Sequence, residues 1–161
     1  MMAGMTETPH PLYDRHVDTL TRALTAISER GYWSAYPESP SPRVYGETAA
    51  AEGKAAFEAY LNGDFPLDQP GAGDRVATET SPFGVELGVR YPHAGADELV
   101  AAASAALPAW RDAGPQARVG VCLEILDRLH KHIFELANAV QFTSGQAFVM
   151  AFQAGGAHAL D

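Results

Sequence analysis

Cys122 is the only thiol in the chain and so the one side chain that could act as a soft nucleophile. It lies between Val121 and Leu123 within a run of apolar residues at helical spacing. A free cysteine in such a setting behaves as a small hydrophobe, whereas a reactive one needs an electropositive, partly exposed surrounding. Cys122 is therefore expected in a core. His130 and His132 stand two residues apart on a helix, so they point to nearly opposite sides and cannot share a metal ion. His10, His16, His93 and His158 have no partner at ligand spacing and are expected to be exposed or hydrogen-bonded. Gly71-Ala72-Gly73 and Gly155-Gly156 form neither a dinucleotide fingerprint nor a phosphate loop, and read as a turn and a helix stop. Trp110 is expected between helices, with Arg111 solvated or capping a helix end, and Arg118 poised to meet a carboxylate outside this chain. No catalytic, cofactor-binding or metal-binding residue is expected.

Helices would position these side chains. Residues 1–12 read as a disordered lead. From Tyr13 to Arg30, Val17, Leu20, Leu24 and Ile27 make one apolar stripe, and Gly31 reads as the left-handed stop. Tyr32 to Gly46 holds three prolines and four aromatic residues, too much proline for a helix and too much ring area for a free linker. It is expected to run extended, pinned by its rings. Thr48 can cap a second helix reaching about Asn62, with Phe57, Tyr60 and Leu61 inside and Gly63 as its stop. Arg75 to Thr80 and Glu86 to Tyr91 alternate about a Ser81-Pro82-Phe83-Gly84 turn, which predicts a β-hairpin.

A third helix spans about Asp97 to Leu107 and is limited by Pro108. Pro115 opens the fourth, with Val119, Leu123, Leu126, Ile133, Leu136 and Val140 inward and a kink expected near His130-Lys131-His132. The fold class is mainly α with one β-hairpin. The chain divides into the lead, a helical and aromatic-proline part over 13–74, and a hairpin-and-helix part over 75–161.

Composition narrows the partners. The 161 residues fit one domain, and 11 basic against 20 acidic residues give a net charge of −9. Such an acidic chain lacks the electrostatic footprint of a nucleic-acid or membrane-surface binder. One cysteine suits a reducing cytoplasm, and no apolar run approaches the roughly 18 residues of a membrane span.

The order of pieces from Ala96 to Gln146 carries a family likeness. An alanine-rich helix ends at Leu107-Pro108-Ala109-Trp110-Arg111, and Gly114, Pro115 and Arg118 open a long amphipathic helix that stops at Thr143-Ser144-Gly145-Gln146. This resembles the N-terminal helical region of the aldehyde dehydrogenase superfamily, although many relatives carry Lys where this chain has Gln146. The segments Arg30 to Pro42, Leu67 to Gly71 and Ala147 to Gly156 resemble the phenylacetic acid degradation branch, PaaN.

The resemblance implies the front part of an α/β enzyme that uses NAD or NADP and assembles as a homo-oligomer. It further implies that a cysteine attacks an aldehyde, here a ring-opened semialdehyde held as a coenzyme A thioester. The dinucleotide-binding sheet, the nucleophile and the base are expected beyond this stretch, so the chain alone is expected to be inactive and to expose apolar surface. The competing expectation is a non-catalytic helical module serving interaction or assembly.

Overall fold

A computed structural model describes residues 10–69, 73–77 and 79–161. Helix α1 (Pro11–Glu29) starts two residues before the expected Tyr13, because Pro11 occupies the first turn, where its missing N–H costs nothing. The lead up to residue 9 lies outside the described residues. Arg30, not Gly31, takes the left-handed conformation (φ 54°), and the Gly31 amide donates to the Ala26 carbonyl at 2.8 Å. A left-handed non-glycine residue costs roughly 1–2 kcal/mol, offset here by the two capping bonds to the Ala26 and Ile27 carbonyls.

The aromatic-proline stretch is not wholly extended. Pro42 starts a single turn, α2 (Pro42–Tyr45), whose Arg43 amide is capped by the Ser41 hydroxyl. Tyr36 is buried and Tyr45 packs on the same core, whereas Tyr32 is 79% exposed. Trp33 lies under the Arg22 guanidinium, 4.6 Å from the ring centre. Two of the four rings therefore pin the segment.

Helix α3 (Ala49–Glu58) begins after Thr48, which makes no side-chain cap. The chain turns away at Asn62 (φ 58°), so asparagine and not Gly63 supplies the left-handed residue. Its amide donates to the Leu87 carbonyl at 2.9 Å and ties the turn to the hairpin.

The expected hairpin is present. Strand β1 (Arg75–Val76) pairs antiparallel with β2 (Tyr91–Pro92), and an antiparallel bridge joins Thr80 to Glu86. The turn closes through Gly84 (φ 75°), whose amide donates to the Ser81 carbonyl. Leu87 and Val89 point inward together, as alternation requires.

Helix α4 (Ala96–Asp112) runs through Pro108 rather than stopping before it. Proline cannot donate to the Ser104 carbonyl, but every neighbouring residue of that turn is exposed, so water can serve that oxygen. Helix α5 (Gly114–Lys131) and α6 (Ile133–Ser144) meet at His132 (φ −103°, ψ 15°), the break expected there. Gly145 (φ 78°) ends α6.

Helix α7 (Phe148–Phe152) runs into a π-helical turn (Gln153–Ala157) and α8 (His158–Leu160), so Gly155-Gly156 do not stop a helix. They let it approach α6. A Cβ on Gly155 would lie 2.8 Å from Val140 Cγ2, and one on Gly156 2.7 Å from Ile133 Cγ1.

Helix α6 is the axis of the molecule. One side joins Tyr36, Phe152, Ala157 and Leu160 in a core around Ile133, Phe134 and Ala137. The other side, through Ala139 and Phe142, meets Phe57, Leu87 and Val89. Residues from 13–74 and from 75–161 share both cores. Gly53 lets α3 lie against α6, since a Cβ there would run into Phe134 Cβ.

Candidate functional site

The densest cluster of ionisable groups lies where α1 crosses α5. Ala117, Gly120 and Glu124 recur at three- and four-residue spacing and form the buried face of α5. A Cβ on Gly120 would sit 2.5 Å from the Tyr13 amide nitrogen, so the glycine sets how closely the two backbones approach. That approach places Glu124 among cations. His16 Nε2 donates to Glu124 Oε2 at 2.8 Å, Arg15 Nη1 donates to the same oxygen at 2.9 Å, and Arg128 Nε donates to Oε1 at 2.9 Å. The His16 bond, then the Arg128 and Arg15 bonds, hold the Glu124 carboxyl down to about 2 against the opposing effect of burial. An ionised carboxylate only accepts, so the network assigns the His16 proton to Nε2.

Asp127 stands one turn further along α5, paired with Lys131 Nζ at 2.6 Å. Ligand atoms of His16, Glu124 and Asp127 lie within 4.8 Å of one another, a grouping that could suggest a metal centre. The charges argue otherwise. Both Glu124 oxygens already accept from guanidinium or imidazole, and a divalent cation would sit beside two fixed positive charges. The cluster is a polar clasp that docks α1.

Next to it, His16, Thr19, Ala35, Tyr36, Leu123, Asp127 and His130 line a cleft of about 140 Å³. The Tyr45 hydroxyl donates to the Pro37 carbonyl at 2.6 Å, so its oxygen accepts from His130 Nε2 at 3.2 Å. Burial lowers the His130 pKa, partly countered by Asp127. The Tyr36 and Tyr45 rings stand edge-on to the imidazole at 5.1 and 5.7 Å. His130 is thus a packed, hydrogen-bonded residue, while His132 is exposed and pairs with Glu135 at 2.7 Å. His93 and His158 are exposed, and His158 lies 3.4 Å from Glu38.

Two expected placements are overturned. Cys122 is exposed, not in a core stripe. With Gly120 and Glu124 turned toward α1, the residue two after Gly120 necessarily points away from it. Trp110 is 41% exposed and is not wedged between helices. Arg118 donates to the Arg111 carbonyl at 2.9 Å and so caps the end of α4. Arg111 is solvated beside Asp112.

The clasp was invisible to sequence reading because His16 and Glu124 are 108 residues apart. An acidic residue at the helical repeat of Ala117 and Gly120 was the one available sign. Residues 71 and 72 of the expected glycine turn lie outside the described residues.

The helical body with its antiparallel hairpin is the fold of a part of an aldehyde dehydrogenase. Among solved structures, the chain is similar to the NAD-dependent aldehyde dehydrogenase from Burkholderia multivorans, with 56% identity and a TM-score of 0.90. The match covers 95% of this chain and 27% of that protein. No family model and no curated protein matches the chain. Among the described residues, no helix is long and apolar enough to cross a membrane.

Proposed function

We propose that this chain is the N-terminal helical part of an NAD(P)-dependent aldehyde dehydrogenase and that by itself it catalyses nothing. The observation that carries the reading is the 56% identity and 0.90 TM-score over 95% of the chain. When bound to the complete enzyme, the nicotinamide accepts hydride from the substrate. The described residues offer no glycine-rich turn between a strand and a helix to cradle its phosphates, so no residue here is assigned to it. Cys122 lies exposed on α5, without a base as its hydrogen-bond partner among the described residues, and is not assigned as the nucleophile.

The work of these residues is scaffolding. Glu124, His16, Arg15 and Arg128 dock α1, and the aromatic-proline segment is built into the main core through Tyr36. The sequence likeness of Arg30 to Pro42, Leu67 to Gly71 and Ala147 to Gly156 to the phenylacetic acid degradation branch supports the finer reading, a ring-opened, coenzyme A-linked semialdehyde of phenylacetate breakdown as the complete enzyme's substrate, in a cytoplasmic homo-oligomer.

Two measurements test this. Purified chain with NAD or NADP and short, medium or aromatic aldehydes should yield no reduced cofactor, and turnover abolished by Cys122→Ser would sink the reading. A chimera in which this chain replaces the corresponding part of the Burkholderia multivorans enzyme should keep cofactor reduction within about tenfold, since about 1.4 kcal/mol of misfit is tolerable. Its preference between short aldehydes and a coenzyme A-linked semialdehyde tests the substrate.

A further inference from the structure

We propose that His130 is a pH-sensitive latch on the aromatic-proline segment, which it holds down when neutral and releases when protonated. Tyr36 and Tyr45, the two rings that pin that segment, both pack on this one imidazole, at 5.1 and 5.7 Å. A relay of hydrogen bonds runs through it as well. His130 Nε2 donates to the Tyr45 hydroxyl, which in turn donates to the Pro37 carbonyl. One side chain of α5 therefore ties down Tyr36, Pro37 and Tyr45 together, two residues before the α5–α6 break at His132.

The surroundings suit the neutral ring and not the cation. His130 lines two clefts, of about 140 and 420 Å³. In the smaller, Asp127 is the one acid, and its Oδ2 is already engaged by Lys131 Nζ at 2.6 Å. His16 of α1 donates to Glu124 and brings no negative charge, and burial keeps Tyr36 a neutral phenol. In the larger cleft, Glu52 of α3 and Glu135 of α6 face Lys131 and His132, and Glu135 already accepts from His132 and Tyr60. Burial accordingly lowers the His130 pKa, and Asp127 opposes it only in part. A charged ring is better served by water, and the clefts on either side give it room to turn out. The Tyr45 hydroxyl then loses its donor and both tyrosines lose a packing partner. Because the folded value lies below the ordinary 6.5, docking is fully supported above pH 6.5 and is lost as pH falls through the folded value. The other titratable tie on the segment, Glu38 with His158 at 3.4 Å, runs the opposite way, since a protonated His158 strengthens it. Both its side chains are about half exposed, so it contributes little. The latch is made of contacts among the described residues and does not rest on the catalytic reading.

Amide exchange and histidine NMR on the full chain are the test. Helix α2 is a single turn, which cannot persist undocked, and its Val44, Tyr45 and Gly46 amides donate to the Ser41 and Pro42 carbonyls. Between about pH 7.5 and about pH 5, the protection factors of those three amides should fall while those of α6 hold. At its low-pH limit the loss should be about tenfold for each unit by which the measured His130 value lies below 6.5. His130→Phe keeps a ring that cannot charge, so protection of the segment should no longer change across that window. His158→Gln should leave the loss in place. Glu124, titrating at about 2, stays ionised throughout, so the clasp does not contribute. A His130 that titrates at or above 6.5, protection that holds in the parent, or a loss that survives in a folded His130→Phe would each overturn the proposal. The first two measurements use the parent alone, so they decide the matter even if the substitution disturbs the fold.

Discussion

At the residue scale, Glu124 carries the sharpest dependence on solution conditions. Its carboxyl titrates at about 2 in the folded chain, against an ordinary 4.5. A depressed acid contributes its stabilisation in full above the unfolded value and loses it as pH falls through the folded one. The melting temperature of Glu124→Gln should therefore lie below that of the parent at neutral pH. The gap should close between about pH 4.5 and pH 2. A gap that stays constant across that window would show that the clasp does not depend on the charge. Cys122 offers a second test. Its exposure predicts that a disulfide reagent modifies the one thiol fully in the native protein, without first unfolding it.

At the scale of elements, two close approaches decide which helices touch. Gly120→Ala places a Cβ against the Tyr13 backbone, which cannot rotate away, so α1 must lift from α5. The expected cost is about 1–3 kcal/mol. Amide exchange should accelerate along α1 while α3 and α6 keep their protection, and uniform acceleration would contradict so local an effect. Helix α4 behaves in the opposite way. Because Trp110 is 41% exposed, Trp110→Ala should cost about 1 kcal/mol or less in the monomer, well under the roughly 3–5 kcal/mol of a buried ring. Chemical denaturation at low protein concentration measures it.

For the whole molecule, the two cores around α6 are closed, with Phe152, Leu87 and Ile133 almost wholly removed from solvent. A cooperative thermal transition should follow. Outside those cores Leu24, Ile27, Ile125, Leu129, Val149 and Met150 remain exposed on α1, α5 and α7. If other parts of an aldehyde dehydrogenase cover them, the isolated chain should bind 8-anilinonaphthalene sulfonate while still melting cooperatively. A chain that binds no dye would favour the self-contained interaction module. The net charge of −9 should hold non-specific aggregation in check.

Local chemistry is legible in the sequence alone. The hairpin about Ser81–Gly84, the break at His132, the stop at Gly145 and the opening of α5 by Pro115 each depend on backbone preferences within a few residues. The resemblance read from Ala96 to Gln146 named the fold for the same reason, since a run of caps and stripes is a sequence property. Facing was not legible. The apolar stripe of α5 suggested that Cys122 lay inside, yet a glycine and a glutamate set the buried face, because the Tyr13 backbone and the side chains of Arg15 and His16 reach them from α1. Likewise α4 runs on past Pro108, and its Trp110 stays in solvent, because no element among the described residues lies over its apolar edge. Periodicity states which residues share a side of a helix. What covers that side is decided by parts of the chain a hundred residues distant, and only the tertiary structure brings them together.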